Sequence, residues 1–213
     1  QMMIKSINPF SGKKVNIYET HTIQGTNRII SSVDKAFHSW RSTSFQQRAV
    51  FMLNLASILR SKKEELAKLM AIEMGKVMRE GVAEIEKCIE LTEFATSLPQ
   101  LVTGEVLEVS RGVECRTEHV PLGVVASIVP FNFPSMVPNW TIPNAIALGN
   151  CMIIKPSEKV PLSCGRLAEL LKEAGLPDGV INLVYVGGPT AADVVLQSPD
   201  FGGIHFTGST GVF

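Results

Sequence analysis

Positions 1–30 alternate polar and apolar side chains only loosely, with Asn8-Pro9 and Ser11-Gly12 as turn signals. A helical block follows. Ser31 or Ser32 is placed to cap a helix carrying Val33, Ala36, Phe37 and Trp40. Asp34 would sit in its first turn, where the helix dipole favours an acid. A second helix is expected over 46–60, with Phe51, Leu55, Ile58 and Leu59 on one face. A third runs over 63–74 and stops near Gly75. A fourth, over 79–95, carries Val82, Ile85, Ile89 and Phe94 among many charges, which read as a solvated face of Glu–Lys pairs.

The pattern then changes. Val106-Leu107-Glu108-Val109 and Val113-Glu114-Cys115-Arg116-Thr117 flank Ser110-Arg111-Gly112, which predicts a β-hairpin with Gly112 in its turn. A two-stranded ribbon is marginal alone, so this one is expected to lean on another body. Beyond Gly123, apolar runs at 124–129, 151–155, 180–185 and 203–206 alternate with helical stretches at 135–148, 161–174 and 190–197. Pro161 suits a first helical turn, and Gly175 before Pro177 a helix end. Strands separated by helices predict a parallel sheet covered on both faces. The expected class is α/β: a Rossmann-like doubly wound sheet, preceded by a helical segment and a protruding β-hairpin. The expected divisions are a helical part over 1–103, the hairpin over 104–120 and the sheet over 121–213.

Composition narrows the function. The 213 residues include 20 basic and 20 acidic side chains, so no basic excess exists for nucleic acid or an anionic membrane surface. From 120 to 154 there is no charge at all, long enough for a membrane span of about 20 residues. Five prolines and four asparagines within it argue instead for a buried segment of an α/β protein. Cys88, Cys115, Cys151 and Cys164 are scattered without CxxC or a companion His, against a zinc site or disulfides. Gln1-Met2-Met3-Ile4-Lys5 has no apolar signal region, and a cytoplasmic protein with reduced thiols is expected.

Ligands of such sheets bind beyond the carboxyl ends of the strands, and three strand ends here are unusual. Val129 leads into Pro130-Phe131-Asn132-Phe133-Pro134, whose prolines restrict the backbone around Asn132. A fixed amide suits an oxyanion donor, but an asparagine taken by itself better suits a residue that ties down a turn. The next strand ends in Lys155-Pro156-Ser157-Glu158. A Lys donating and a Glu accepting match a ribose diol, and the Glu would repel a 2′-phosphate. The same pair reads as well as a surface ion pair. The last strand ends in Phe206-Thr207-Gly208-Ser209-Thr210-Gly211, a turn able to present N–H groups to a phosphate. No GxGxxG fingerprint occurs, and Gly187-Gly188-Pro189 does not supply one.

Taken in order and spacing, these motifs resemble the aldehyde dehydrogenases. The resemblance rests on Pro130-Phe131-Asn132-Phe133-Pro134, on Ala147-Leu148-Gly149-Asn150 leading to Lys155-Pro156-Ser157-Glu158, and on Phe206-Thr207-Gly208-Ser209-Thr210. It extends to Glu173-Ala174-Gly175-Leu176-Pro177-Asp178-Gly179-Val180-Ile181-Asn182, Glu73-Met74-Gly75-Lys76 and Asn8-Pro9. It implies oxidation of a small-molecule aldehyde to an acid or thioester with NAD, or NADP, as hydride acceptor. Asn132 matches the oxyanion donor; Val129, Pro130, Phe131, Lys155, Pro156, Ser157 and Glu158 match the adenosine and ribose site. Gly188 and Pro189 match a loop beside the adenine, and Gly208 and Ser209 the pyrophosphate contact. The hairpin matches part of an oligomerisation element, implying a homo-oligomer, with no metal.

The departures also matter. The family's nucleophilic Cys and general-base Glu lie beyond the Phe-Thr-Gly-Ser motif, and no cysteine here matches that nucleophile. The chain by itself is therefore expected to be inactive, as the cofactor half of a longer enzyme. Phe213 stands where many members have the glycine closing Gly-Ser-Thr-x-x-Gly. The early and middle segments resemble succinate- or methylmalonate-type semialdehyde dehydrogenases. The tail from Ile204 to Phe213 is closer to the pyrroline-5-carboxylate branch. Two other readings stand beside this one: a non-catalytic nucleotide-binding or assembly module, and a truncated product without function.

Overall fold

The computed structural model describes residues 3–212, leaving aside the side chain of Leu196. The expectations that involve Gln1, Met2 and Phe213 fall outside the described residues. The loosely alternating first segment pairs into an antiparallel ribbon of β1 (Met3–Ile7) and β2 (Lys14–Glu19). Asn8 makes its turn, the side-chain Oδ1 accepting from the N–H groups of Phe10 and Ser11.

Helix α1 (Ile23–Trp40) starts well before the expected cap. Thr22 is the N-cap, its hydroxyl accepting from Gly25 N–H at 3.0 Å, so Ser31, Ser32 and Asp34 sit mid-helix. The weak helix formers Gly25, Thr26 and Asn27 hid that start, yet Thr26 and Ile30 continue the buried face of Val33, Phe37 and Trp40. Helix α2 (Phe45–Ser61) opens on a capping box between Ser44 and Gln47. Helix α3 (Lys63–Met74) ends as expected at Gly75, whose φ of 76° is left-handed. Helix α4 (Met78–Ala95) and the short α5 (Leu98–Leu101) follow.

The charges of α4 correct the sequence reading. Glu86, Lys87 and Glu93 are exposed and paired with Lys63, Glu90 and Arg60. Glu84 is not solvated: it is buried on the helix's apolar face with Ile85 and Cys88.

β3 (Val106–Ser110) and β4 (Val113–Arg116) form the expected hairpin, with Gly112 at φ 77° in its turn. Every residue of both strands is exposed. The remainder is β5 (Val124–Ile128), α6 (Met136–Ala147), β6 (Cys151–Lys155), α7 (Pro161–Glu173), β7 (Ile181–Leu183), α8 (Gly188–Gln197) and β8 (Phe201–Phe206). The uncharged run is thus β5–α6–β6 inside the protein, and among the described residues no helix is long and apolar enough to cross a membrane.

The sheet is parallel, in the order β7-β6-β5-β8. The chain steps outward from β5 to β7, then returns to the far side of β5. With right-handed crossovers, that reversal places α8 on the face opposite α6 and α7. Helix α1 lies against β5, β6, β7 and α8, while α2, α3 and α4 back α6 and α7. One hydrophobic core joins these helices to the sheet, from Trp40, Met52 and Leu55 to Ile146 and Ile154.

Ile146 is fully buried where α6 meets the helical layer. Ile146→Ala is expected to lower stability by about 2–5 kcal/mol in urea unfolding. Val109→Ala, on the exposed ribbon, is expected to stay within about 0.5 kcal/mol of the parent. Equal losses at the two positions would contradict this assignment of the core.

Candidate functional site

Strand order reverses between β5 and β8, and the carboxyl edge at such a switch point is where these sheets take ligands. Backbone hydrogen bonds lock three strand ends together there. Val129 N–H donates to the Lys155 carbonyl at 3.2 Å, and Thr207 N–H to the Ile128 carbonyl at 3.0 Å. The three motifs begin at those residues. They are far apart in sequence and emerge side by side.

Beyond β5 the segment of Pro130, Phe131, Asn132 and Phe133 turns over the edge before α6 begins. Asn132 is exposed, and among the described residues its side-chain amide has no hydrogen-bond partner. The flanking prolines are only part of what holds this loop. Lys76, 8% exposed in the loop after α3, donates from Nζ to the Asn132 carbonyl at 2.9 Å. The same ammonium sits 3.9 Å from the centre of the Phe133 ring and pairs with Glu84 Oε2 at 2.5 Å. The other Glu84 oxygen accepts from the N–H groups of Ser135 and Met136, each at 2.9 Å. A buried carboxylate thereby caps the amino terminus of α6, where free N–H groups and the helix dipole favour an anion. At the other end Arg48 Nε and Trp40 Nε1 donate to the carbonyls of Ala147 and Ile146.

At the end of β6, the Lys155 ammonium donates to Glu158 Oε1 at 2.6 Å; the Lys side chain is 8% exposed and that of Glu 42%. This is a half-buried pair rather than a loose surface one, with the carboxylate facing outward. Pro156 is buried and Ser157 partly so. Lys159 lies 4.6 Å over the Phe131 ring, joining the β5 and β6 segments. Gly188 and Pro189 are not in a loop: they form the first turn of α8, with Gly187 as its N-cap. Proline suits that turn because its missing N–H would be free anyway. Gly208 and Ser209 are exposed beyond β8, in a turn closed by Val212 N–H to the Ser209 carbonyl.

Sequence reasoning passed over Glu84, Arg48 and Lys159. Glu84 carried a signal: it occupies an apolar-face position of α4, in phase with Gly81, Cys88 and Thr92. Lys159 carried none, because Phe131 comes from a distant part of the chain; Arg48 has Thr43 and Phe45 nearby, but nothing local announces its bond to Ala147.

The arrangement fits a dinucleotide. The Lys155–Glu158 pair offers a donor and an acceptor to a diol. No atom lies within 4 Å of where a side chain on Gly188 would begin, so the start of α8 is open. Cys88, Cys151 and Cys164 are buried, and burial pushes the thiols of Cys151 and Cys164 up to about 12 and that of Cys88 higher. Cys115 is exposed, but on the ribbon. Among the described residues no group of three or more His, Cys, Asp or Glu could hold a metal ion.

A doubly wound parallel sheet with irregular turns at its switch point defines a Rossmann-like class of α/β protein, whose ligands bind at that edge. The family is settled by comparison. The model of the aldehyde dehydrogenase family matches residues 1–213, and the chain belongs to that family. It is 40% identical over 203 residues to malonate-semialdehyde dehydrogenase 2 of Bacillus mycoides, covering 95% of this chain and 42% of that protein. Glyceraldehyde-3-phosphate dehydrogenase GapN of Methanocaldococcus jannaschii, solved with NADP, superposes with a TM-score of 0.92 at 30% identity, over 98% of this chain and 46% of that one. An NAD-dependent benzaldehyde dehydrogenase of Corynebacterium glutamicum gives 0.94 at 28%, over 99% and 46%. The chain thus spans about 42% of the length of the curated relatives it matches.

With neutral, buried thiols at Cys88, Cys151 and Cys164, an aromatic disulfide reagent at pH 8 is expected to modify Cys115 alone in the native protein. The other three should react only on unfolding. A second rapidly reacting thiol would contradict the burial.

Proposed function

We propose that this chain is the cofactor-binding half of an NAD-dependent semialdehyde dehydrogenase. The observation that carries the reading is the convergence of Asn132, the Lys155–Glu158 pair and the Gly208-Ser209 turn on one sheet edge, through Val129 to Lys155 and Thr207 to Ile128 hydrogen bonds. The printed names of the relatives, malonate-semialdehyde dehydrogenases, support a semialdehyde as substrate.

In this reading Lys155 and Glu158 hold the adenosine ribose, and the exposed Glu158 carboxylate disfavours a 2′-phosphate, tilting the choice from NADP to NAD. Val129, Pro130, Phe131, Pro156 and Ser157 line that side. Gly188 and Pro189 leave room beside the adenine, and Gly208 with Ser209 meets the pyrophosphate. When bound, the nicotinamide supplies the hydride acceptor. Asn132 Nδ2 donates to the aldehyde oxygen as a nucleophile adds to the carbonyl carbon, stabilising negative charge as it develops. In this reading the nucleophile, and the general base that follows it, come from outside this segment, and the burial of Cys88, Cys151 and Cys164 supports that. The chain by itself is then a binder rather than a catalyst, and acts in the cytoplasm. The division is correspondingly 1–103 as helical support, 121–213 as the cofactor-binding part, and 104–120 as an arm that joins copies of the enzyme. The exposure of the apolar Val106, Leu107, Val109 and Val113, each more than half open, supports the last role.

A non-catalytic nucleotide-binding or assembly role is the second reading, favoured by the inaccessible thiols. Absence of NAD(P)H formation from aldehydes by the 213-residue chain fits both readings; turnover by the complete gene product selects the first.

Two measurements follow. Calorimetric titration of NAD should show Lys155→Ala and Glu158→Ala each binding roughly ten- to a hundredfold more weakly, the loss of a charged hydrogen bond. Unchanged affinity in both removes the ribose assignment. In the complete gene product, Asn132→Ala should lower kcat about 10²- to 10³-fold with little change in KM. An unaltered kcat removes the oxyanion role.

A further inference from the structure

The reading above leaves one buried ionic group without a task. Lys76 and Glu84 have side chains 5% and 0% exposed and pair with each other beside the start of α6. Desolvating two charges in this way gives little net stability compared with an apolar pair of similar volume. Helix capping explains Glu84 alone, since a neutral acceptor at the N-cap would satisfy the same N–H groups. It does not explain why an ammonium is brought in beside it.

The geometry supplies a reason. The two side chains grip the loop from both ends: Lys76 holds the Asn132 carbonyl at 2.9 Å, and Glu84 holds the N–H groups of Ser135 and Met136, each at 2.9 Å. Phe133, between these points, lies against the ammonium. All three bonds end on backbone atoms, so they set the path of the chain without occupying the Asn132 amide. That amide is left exposed and unpartnered among the described residues. An oxyanion donor has to be held in place before the charge develops, and a shift of 1 Å is worth about 10²-fold in rate.

Resting on the oxyanion reading of Asn132, we infer that the Lys76–Glu84 pair is a positioning device: it presets the Asn132 loop for a carbonyl oxygen. Lys76 and Glu84 touch neither substrate nor cofactor and act only through the loop. Lys76 fixes the asparagine end, and Glu84 fixes the helix end.

The test uses Lys76→Met in the 213-residue chain, with backbone ¹⁵N relaxation and amide exchange read site by site. In the parent, the N–H vectors of Asn132 and Phe133 are expected at order parameters near about 0.85; in the variant they fall below about 0.6. Ser163 on α7, whose N–H is held by Glu73 of α3, serves as the internal control and should stay protected. Where Lys76→Met alone does not fold, Lys76→Met/Glu84→Gln removes both charges together and keeps an acceptor for Ser135 and Met136. That double variant should loosen Asn132 while Ser135 and Met136 stay protected. Unchanged order parameters at Asn132 and Phe133, or loosening shared equally by Ser163, overturn the inference.

Its catalytic consequence is read in the complete gene product. Lys76→Met should lower kcat about 10²-fold in the parent and cause almost no further loss on top of Asn132→Ala. Equal losses in both backgrounds mean a purely structural pair and overturn the inference. An Asn132→Ala enzyme with unaltered kcat instead removes the oxyanion reading, and leaves the relaxation result to decide whether the pair presets the loop.

Discussion

Helix α6 lies inside the protein without a charged residue of its own, and its terminal N–H and C=O groups have to be met there. The rest of the fold is organised around that requirement. Glu84 comes from α4 to cap the amino end, and Arg48 and Trp40 come from α2 and α1 to cap the carboxyl end. The signs are those the helix dipole favours, an anion at the start and a cation at the end. These bonds fasten the helical layer to both ends of α6, and those of Glu84 fall at the edge where the candidate site lies.

The same solution recurs on α7. Glu73, buried at the end of α3, accepts from the N–H groups of Leu162 and Ser163 and from the Ser6 hydroxyl of β1. Two buried carboxylates thus cap the two helices that follow β5 and β6. Each removes free N–H groups from the interior, so what is left open at the carboxyl edge is confined to the strand-end turns and the first turn of α8. Burial of the thiols on α4, β6 and α7 has the complementary effect. It turns Cys88, Cys151 and Cys164 into core packing groups and takes them out of the chemistry.

Much of this was legible from the order of residues. Periodicity placed α2, α3 and α4 to within about one residue, β6 without error, and the hairpin with its turn at Gly112. The start of α1 was misplaced because the weak helix formers Gly25, Thr26 and Asn27 follow Thr22, and burial of Thr26 and Ile30 carries the helix through them. Pro189 was assigned to a loop because a proline in a first helical turn and one in a loop look alike locally. Glu84 was read as solvated because a glutamate on a charged helix usually is, and its partners lie at Ser135, Met136 and Lys76.

What the sequence determined by itself is whatever depends on neighbours a few residues apart: strand and helix periods, turns, and the motifs that mark the chain as an aldehyde dehydrogenase. Tertiary structure alone decided which charges are buried, where helix ends find their partners, and how three distant strand ends come to share one edge. Those outcomes depend on the strand order β7-β6-β5-β8 and on the need to satisfy every polar group removed from water. Both are properties of the assembled layers, and no local stretch of sequence encodes them.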